Sequence, residues 1–261
     1  MKQHNTYQHY CLIFSFFISI NLFIIAICTS LSFAEKRFPV WDEQVFAEVE
    51  KRHGLKASER IRDLYDLIRN NLNKNEMEQL EIVNDYMNGL QWIADSNLWK
   101  QEDYWATPFE TMTTFGGDCE DIAIAKYTAL RLMGFNDDSM GFAYVITAKK
   151  ERHIVMVYKS APDKESLILD NLHPDVVTAK ERKDLMAVYA FKNNGDLFVI
   201  KDEGNGNRSV LAKKENSTLQ KWLTVKKRAR ENTASYLPFN GGKPLIPEWA
   251  EPPDLKAVRD E

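Results

Sequence analysis

The sequence predicts an α+β domain in which helices come first and an antiparallel sheet follows. Apolar residues recur at helical spacing between residues 41 and 92, and a further helical pattern begins at Cys119 and stops at Gly134. After residue 140 the pattern changes to short runs rich in Val, Ile, Tyr and Phe, separated by turn residues. Helices first and a sheet afterwards define the α+β class.

Residues 1–34 are predicted to be an export signal. Leu12 to Leu31 is almost unbroken apolar sequence, and the small residues Ser32 and Ala34 that follow indicate cleavage after Ala34. About 20 apolar residues also suffice to cross a bilayer, so an uncleaved inner-membrane anchor is the alternative. In both cases the remainder of the chain, residues 35–261, is expected to lie outside the cytoplasm.

Residues 35–92 are predicted to be an N-terminal helical part of two or three amphipathic helices. Gly54 is expected to end the first of them, and Ser58 with Glu59 to begin the second. Residues 93–117 break the periodicity and are rich in aromatic residues, so we expect an irregular segment. It either walls a substrate cleft or packs onto the core.

The sheet is predicted to lie between the helix that begins at Cys119 and a C-terminal helix with an extended tail, at residues 214–261. The expected strands cover residues 141–147, 153–158, 166–172, 187–191 and 196–201. The net charge of -4 gives the chain no electrostatic reason to bind nucleic acid. The basic cluster at residues 226–230 is interpreted as a solvated helix face.

Cys119 is the candidate nucleophile. The other two cysteines, Cys11 and Cys28, lie inside the predicted signal, so Cys119 has no partner for an internal disulfide in an oxidising compartment. It stands at a predicted helix N-terminus, whose partial positive charge favours the thiolate over the thiol.

A cysteine nucleophile needs a histidine that is held by a carboxylate or an amide. Three histidines follow the predicted signal: His53 near a helix end, His153 at the start of a strand, and His173 in a turn. Asp170 ends a predicted buried strand and therefore needs a partner: it either caps the following turn or holds the imidazole of His153 from a neighbouring strand. The residues alone leave both His153 and His173 open.

Four short segments, taken in order, resemble the bacterial transglutaminase-like cysteine proteinases of the periplasmic LapG type. They cover residues 103–108, 117–121, 125–127 and 169–172, and the resemblance extends over residues 80–175. It implies a papain/transglutaminase-like fold. It also implies a catalytic triad of Cys119 as nucleophile, His153 as general base and acid, and Asp170 as the group that orients the imidazole.

The same resemblance implies a calcium site at Asp118, Glu120 and Asp121, which flank the nucleophile. Carboxylates beside a thiol raise its pKa, and a bound Ca²⁺, a hard cation that binds oxygen ligands, would offset their charge. The alternative is that Asp118 is an N-cap while Glu120 and Asp121 complement the helix dipole.

The resemblance further implies a periplasmic, calcium-dependent cysteine endopeptidase that cleaves the N-terminal region of a large surface adhesin and promotes biofilm detachment. The implied regulator is the periplasmic domain of an inner-membrane receptor for cyclic di-GMP. Two alternatives use the same fold: a transglutaminase-type acyltransferase, in which an amine replaces water, and a catalytically inactive binding module.

Overall fold

The computed structural model describes residues 40–202, 208–213, 217–247 and 250. The predicted export signal and the last residues of the predicted tail lie outside this part of the chain. Within it, every helix is too short or too polar to cross a bilayer.

Three helices form the N-terminal part: α1 at Glu43–His53, α2 at Leu55–Asn70 and α3 at Glu76–Asn88. Gly54 ends α1 as predicted, with a positive φ of 89° that glycine adopts without strain. The predicted start of the second helix at Ser58 and Glu59 is wrong, because α2 begins at Leu55. Ser58 is buried instead, and its hydroxyl donates to the Phe46 carbonyl of α1 at 2.8 Å.

The segment at residues 93–117 is more regular than predicted. It contains a single-turn helix, α4 at Asp95–Leu98, and a second short helix, α5 at Pro108–Thr114. Thr107 and Glu110 form a capping box at the start of α5. Strand β1 at Gln91–Trp92, just before the segment, pairs in parallel with β2 at Gly116–Gly117, which forms its last two residues.

A seven-stranded antiparallel sheet follows helix α6 at Cys119–Leu132. Its strands are β3 (Met140–Thr147), β4 (Arg152–Tyr158), β5 (Leu167–Leu169), β6 (Val177–Thr178), β7 (Leu185–Phe191), β8 (Leu197–Asp202) and β9 (Arg208–Lys213). They lie in the order β6-β5-β4-β3-β7-β8-β9. The five predicted strands are present, but β5 is shorter than predicted, and β6 and β9 were missed.

Helix α6 occupies the core, and twelve of its fourteen residues are buried. It packs against α3 on one side and against β4 on the other. The C-terminal helix, α7 at Ser217–Ala234, places Trp222 in aromatic contact with Tyr127 of α6 and Phe142 of β3, with ring centroids 5.7 and 5.1 Å apart. This packing fixes the N-terminus of α6 near the start of β4.

Candidate active site

Cys119 is the first residue of α6 and directly follows the turn that leaves β2. The turn approaches the helix closely: a Cβ atom on Gly117 would lie 2.5 Å from Oδ2 of Asp121. The Gly117 carbonyl also accepts a hydrogen bond from Ile93 at 2.9 Å. Glycine at position 117 therefore lets the chain enter the helix with Cys119 at its N-terminus.

The surroundings of the Cys119 thiol disfavour its ionisation. Burial raises the pKa of the thiol well above its ordinary value, and the charges of Glu120 and Asp118 raise it further. The thiol donates to Oε2 of Glu120 at 3.0 Å, while a backbone hydrogen bond from Ile154 favours the thiolate. Without a compensating positive charge, Cys119 would be a weak nucleophile at neutral pH.

His153 is the histidine that shares a cleft with Cys119. The two residues line a cavity of about 330 Å³, together with Trp105 and Tyr144. His153 is buried, and its Nε2 lies 2.6 Å from Oδ1 of Asp170. The pairing of His153 with Asp170 across β4 and the end of β5 is the one expected from the sequence.

The other two candidate histidines lie elsewhere. His173 is partly buried, and its Nδ1 contacts the backbone of Asp175 within its own turn. His53 lies at the end of α1, where its ring meets the edge of Phe109 at 5.4 Å. Of the two histidines that the residues alone left open, His153 is the one that lines the cleft with Cys119.

Asp170 is buried and remains ionised. Burial by itself opposes ionisation, but His153, the Leu172 backbone N–H and Arg182 together lower the pKa of Asp170 to about 2. Leu172 donates to Oδ1 at 2.9 Å, and Nη1 of Arg182 lies 2.7 Å from Oδ2. No motif or spacing in the sequence pointed to Arg182.

A buried lysine connects α6 to the turn that carries Asp170. Nζ of Lys126 donates to the side-chain carbonyls of Asn84 and Asn88, at 2.7 Å in each case. Nδ2 of Asn88 then donates to the Asp170 carbonyl at 3.1 Å and to the His173 carbonyl at 3.0 Å. Because Lys126 is fully buried, desolvation lowers its pKa to about 7, opposed by the charge of Asp170.

The three predicted metal ligands belong to a larger acidic cluster. Asp118, Glu120 and Asp121 are joined by Asp95 and Asp103, which the sequence analysis did not assign to the site. Their oxygen atoms form overlapping groups of three within 4.8 Å of one another. Asp103 could have been found, because it lies within a segment that resembles the family. Asp95 lies in a part of the chain that was predicted to be irregular, and no motif there indicated it.

The cluster has the properties of a cation site. Burial, followed by repulsion from neighbouring carboxylates, raises the pKa of Asp118 to about 10 and that of Asp121 to about 8. For Asp95, burial again dominates and raises the pKa to about 6. Oδ1 of Asp95, Oδ1 of Asp118 and Oδ2 of Asp121 are buried without a hydrogen-bond partner among the described residues. Carboxylate oxygens with free lone pairs suit Ca²⁺.

The alternative role of Asp118 as a side-chain cap does not hold. Asp118 does occupy the N-cap position of α6, but its side chain makes no capping hydrogen bond. Its Oδ1 therefore belongs to the group of unpartnered oxygens, which supports the cation-site interpretation.

The segment at residues 103–106 lies over the acidic cluster. Tyr104 donates its backbone N–H to Oδ2 of Asp95 at 2.6 Å, and Ala106 donates to Oδ1 of Asp121 at 2.7 Å. Because the Tyr104 N–H is engaged in this way, it is not directed at a substrate. These contacts leave the second oxygen of each carboxylate for another partner.

Arg228 of α7 anchors this segment. Its guanidinium hydrogen-bonds the Tyr104 hydroxyl and the Trp105 carbonyl, and Nη1 lies 3.1 Å from Oε2 of Glu110. Lys226, two residues earlier, is buried and donates to the Asn193 carbonyl at 2.9 Å. The interpretation of this basic cluster as a solvated helix face is therefore wrong for both residues.

A thiol at a helix N-terminus, facing a histidine and an aspartate from neighbouring antiparallel strands, defines the class of cysteine hydrolases with a papain/transglutaminase-like fold. The sequence profile of the bacterial transglutaminase-like cysteine proteinases matches residues 57–193. The chain belongs to this family and is a cysteine protease of the transglutaminase-like fold.

Several solved structures resemble the chain, and they include LapG from Legionella pneumophila. A calcium-bound structure of that protein is 31% identical, with a TM-score of 0.56, and the match covers 70% of this chain and 98% of LapG. An EGTA-treated structure is 28% identical, with a TM-score of 0.59, and the match covers 73% and 98%. Comparison with curated protein sequences gave no match.

Proposed function

We propose that the chain is a calcium-dependent cysteine endopeptidase whose catalytic triad is Cys119, His153 and Asp170. The observation that carries this proposal is the buried pair of His153 and Asp170, 2.6 Å apart, in the cleft that contains the Cys119 thiol. Since Nε2 of His153 faces Asp170, Nδ1 is the ring nitrogen that exchanges protons with substrate and thiol.

In the proposed reaction, His153 accepts the thiol proton and the Cys119 sulfur attacks the scissile carbonyl carbon. Cys119 is the first residue of α6, so its backbone N–H has no acceptor within the helix and is placed to bind the oxyanion. His153 returns the proton to the leaving amine, which leaves a thioester on Cys119. Water, deprotonated by His153, then hydrolyses the thioester and restores the thiol.

We propose that Asp118, Glu120 and Asp121 bind Ca²⁺, with Asp95 and Asp103 completing the acidic cluster. The buried oxygen atoms without partners support this assignment, as does the calcium-bound structure of the related LapG. Bound calcium would offset the negative charge that raises the pKa of Cys119. The protein's own groups then do the chemistry, with Ile154 and the helix N-terminus favouring the thiolate.

The proposed substrate is the N-terminal region of a large surface adhesin, whose cleavage releases the adhesin and promotes biofilm detachment. We place this activity in the periplasm, with the predicted signal at residues 1–34 directing export. We further propose that the periplasmic domain of an inner-membrane cyclic di-GMP receptor sequesters the protease. Membership of the family and similarity to LapG support these assignments.

Cleavage of a recombinant N-terminal fragment of an adhesin from the same genome tests the proposal. We expect cleavage in calcium, none in EGTA, and none with Cys119→Ala. Ser160→Ala, which alters an exposed loop residue, is the control and should cleave as the unaltered protein does.

Mass spectrometry separates hydrolysis from acyl transfer. Hydrolysis creates a free carboxyl terminus, whereas acyl transfer to an added amine creates an amide. Cleavage by Cys119→Ala would overturn the nucleophile, and an amide as the main product would favour the acyltransferase. Full activity in EGTA would overturn the role of calcium.

A further inference from the structure

Arg182 contacts the carboxylate of Asp170 from the side opposite His153. It lies between β6 and β7, and its side chain is only 6% exposed. Nη1 lies 2.7 Å from Oδ2 of Asp170, while Nε2 of His153 lies 2.6 Å from Oδ1. Oδ1 of Asp170 is thus held by His153 and by the Leu172 backbone N–H, while Oδ2 forms a close ion pair with Arg182 that lacks hydrogen-bond geometry.

The guanidinium of Arg182 is itself fixed by a second carboxylate. Its Nε and Nη2 donate to the two oxygens of Asp184, at 2.9 and 2.8 Å. The side chain of Asp184 is 52% exposed, so this pair lies at the surface. A two-point contact of this kind sets the plane of the guanidinium, which a lysine could not reproduce.

The proposed reaction requires a permanent cation beside Asp170. The carboxylate of Asp170 is buried, and a buried charge must be compensated. An imidazolium at His153 compensates it, but a neutral imidazole does not. Arginine stays protonated throughout the accessible pH range, so Arg182 supplies the counter-charge whichever form His153 takes.

We propose that Arg182 is a positioning residue of the triad, which keeps Asp170 ionised and directs its Oδ1 at His153 through every step of the reaction. The proposal rests on the triad proposed above. Asp184 acts on the triad indirectly, because it orients the guanidinium of Arg182.

The test measures the alkylation rate of Cys119 by iodoacetamide as a function of pH, in calcium, by mass spectrometry of the peptide that contains Cys119. Arg182→Met should slow alkylation at about pH 6 by about tenfold, which is less than the roughly 10²–10⁴-fold that a general base contributes, because His153 itself is retained. It should also move the acid limb of the profile to higher pH. Without Arg182, Asp170 binds a proton more readily and stabilises the imidazolium less.

Three further variants sharpen the test. Arg182→Lys keeps the charge and should recover part of the rate. Arg69→Met, at an exposed arginine of α2, should leave the profile unchanged. In an Asp170→Asn background, Arg182→Met should have almost no additional effect, because the group on which it acts has been removed.

An unaltered profile for Arg182→Met, or the same loss of rate in the Asp170→Asn background, would overturn the proposal. If circular dichroism shows that Arg182→Met does not fold, Asp184→Asn replaces it, with a smaller shift expected in the same direction and an unchanged profile counting against the proposal. Alkylation needs no peptide substrate, so a failure to cleave adhesin would contradict the proposed substrate and leave this test valid.

Discussion

Asp170 and Asp118 are both shielded from solvent, yet their pKa values move in opposite directions. Two cationic or hydrogen-bonding side chains face Asp170 and lower its pKa to about 2, against the effect of burial. Burial and neighbouring carboxylates raise the pKa of Asp118 to about 10. One aspartate is therefore kept ionised by its protein neighbours, and the other requires a bound cation to ionise at neutral pH.

Asp95 provides a test of the acidic cluster at the level of a single residue. Asp95→Asn keeps the size of the side chain but removes a charge and one anionic oxygen. We expect calcium affinity, measured by isothermal titration calorimetry, to fall by at least about tenfold.

Asp85→Asn, at an exposed position of α3, is the matched control and should bind calcium as the unaltered protein does. An unchanged affinity for Asp95→Asn would remove Asp95 from the proposed site.

The sequence identified those site residues that are adjacent along the chain or that belong to a family segment. Cys119 emerged from its position at a helix start and from the absence of a disulfide partner. Asp95 and Arg182 emerged only from the structure, because the fold brings Asp95 to Asp118 from 23 residues earlier and Arg182 to Asp170 from 12 residues later. The local periodicity of apolar residues contains no information about such contacts.

At the scale of elements, Lys126 and two asparagines join α6, α3 and the turn after β5. The lysine is fully buried and has two amide carbonyls as its acceptors, and the amide nitrogens hydrogen-bond the turn. Nδ2 of Asn84 reaches the Pro174 carbonyl at 2.8 Å, beside the contacts of Asn88. Through these contacts, helix α6 positions the backbone around Asp170.

Asn88→Ala should destabilise the protein by about 1–3 kcal/mol, because it removes one acceptor of the buried Lys126 and leaves two carbonyls without their donor. The free energy of unfolding, from urea titrations followed by circular dichroism, measures the effect.

Asn70→Ala, at the exposed end of α2, should change the free energy of unfolding by less than about 0.5 kcal/mol. Equal effects of the two substitutions would mean that the contacts of Asn88 add nothing to stability.

The long helices were predictable, whereas the single-turn helix α4 and the two-residue strand β6 were not. Helices α1, α2, α3 and α6 each repeat an apolar pattern over several turns, so periodicity located them. Helix α4 has four residues and β6 has two, and neither is long enough to show a period. Ser58 was misassigned because a hydroxyl that bonds a neighbouring helix looks, in sequence, like an N-cap.

For the whole molecule, we expect the acidic cluster, as the proposed calcium site, to make stability depend jointly on pH and calcium. The raised pKa values of Asp95, Asp118 and Asp121, about 6, 10 and 8, mean that these groups favour folding when protonated. That stability is fully present below about pH 4 and is lost as pH rises through the folded values. Calcium competes with these protons, so it should bind more tightly at high pH.

We therefore expect the increase in Tm caused by calcium, relative to EGTA, to grow from about pH 6 to about pH 9. With calcium at about 100 times its Kd, the increase at about pH 9 should reach about 5–10 °C. Differential scanning calorimetry gives both values.

The titration of Lys126 has the opposite effect on stability, but it is common to both conditions. Subtracting the Tm in EGTA from the Tm in calcium therefore cancels it. Sodium chloride at equal ionic strength controls for screening. An increase that is the same at both pH values would contradict the coupling between protons and calcium.

The contacts of Arg228 have a consequence for the order in which the chain matures. This arginine lies 123 residues beyond Trp105, whose carbonyl it binds, and it belongs to the last long helix of the described chain. The segment over the acidic cluster is therefore synthesised 123 residues before its anchor. Until α7 has been made, the chain holds Cys119 in an unassembled site, which delays proteolytic competence.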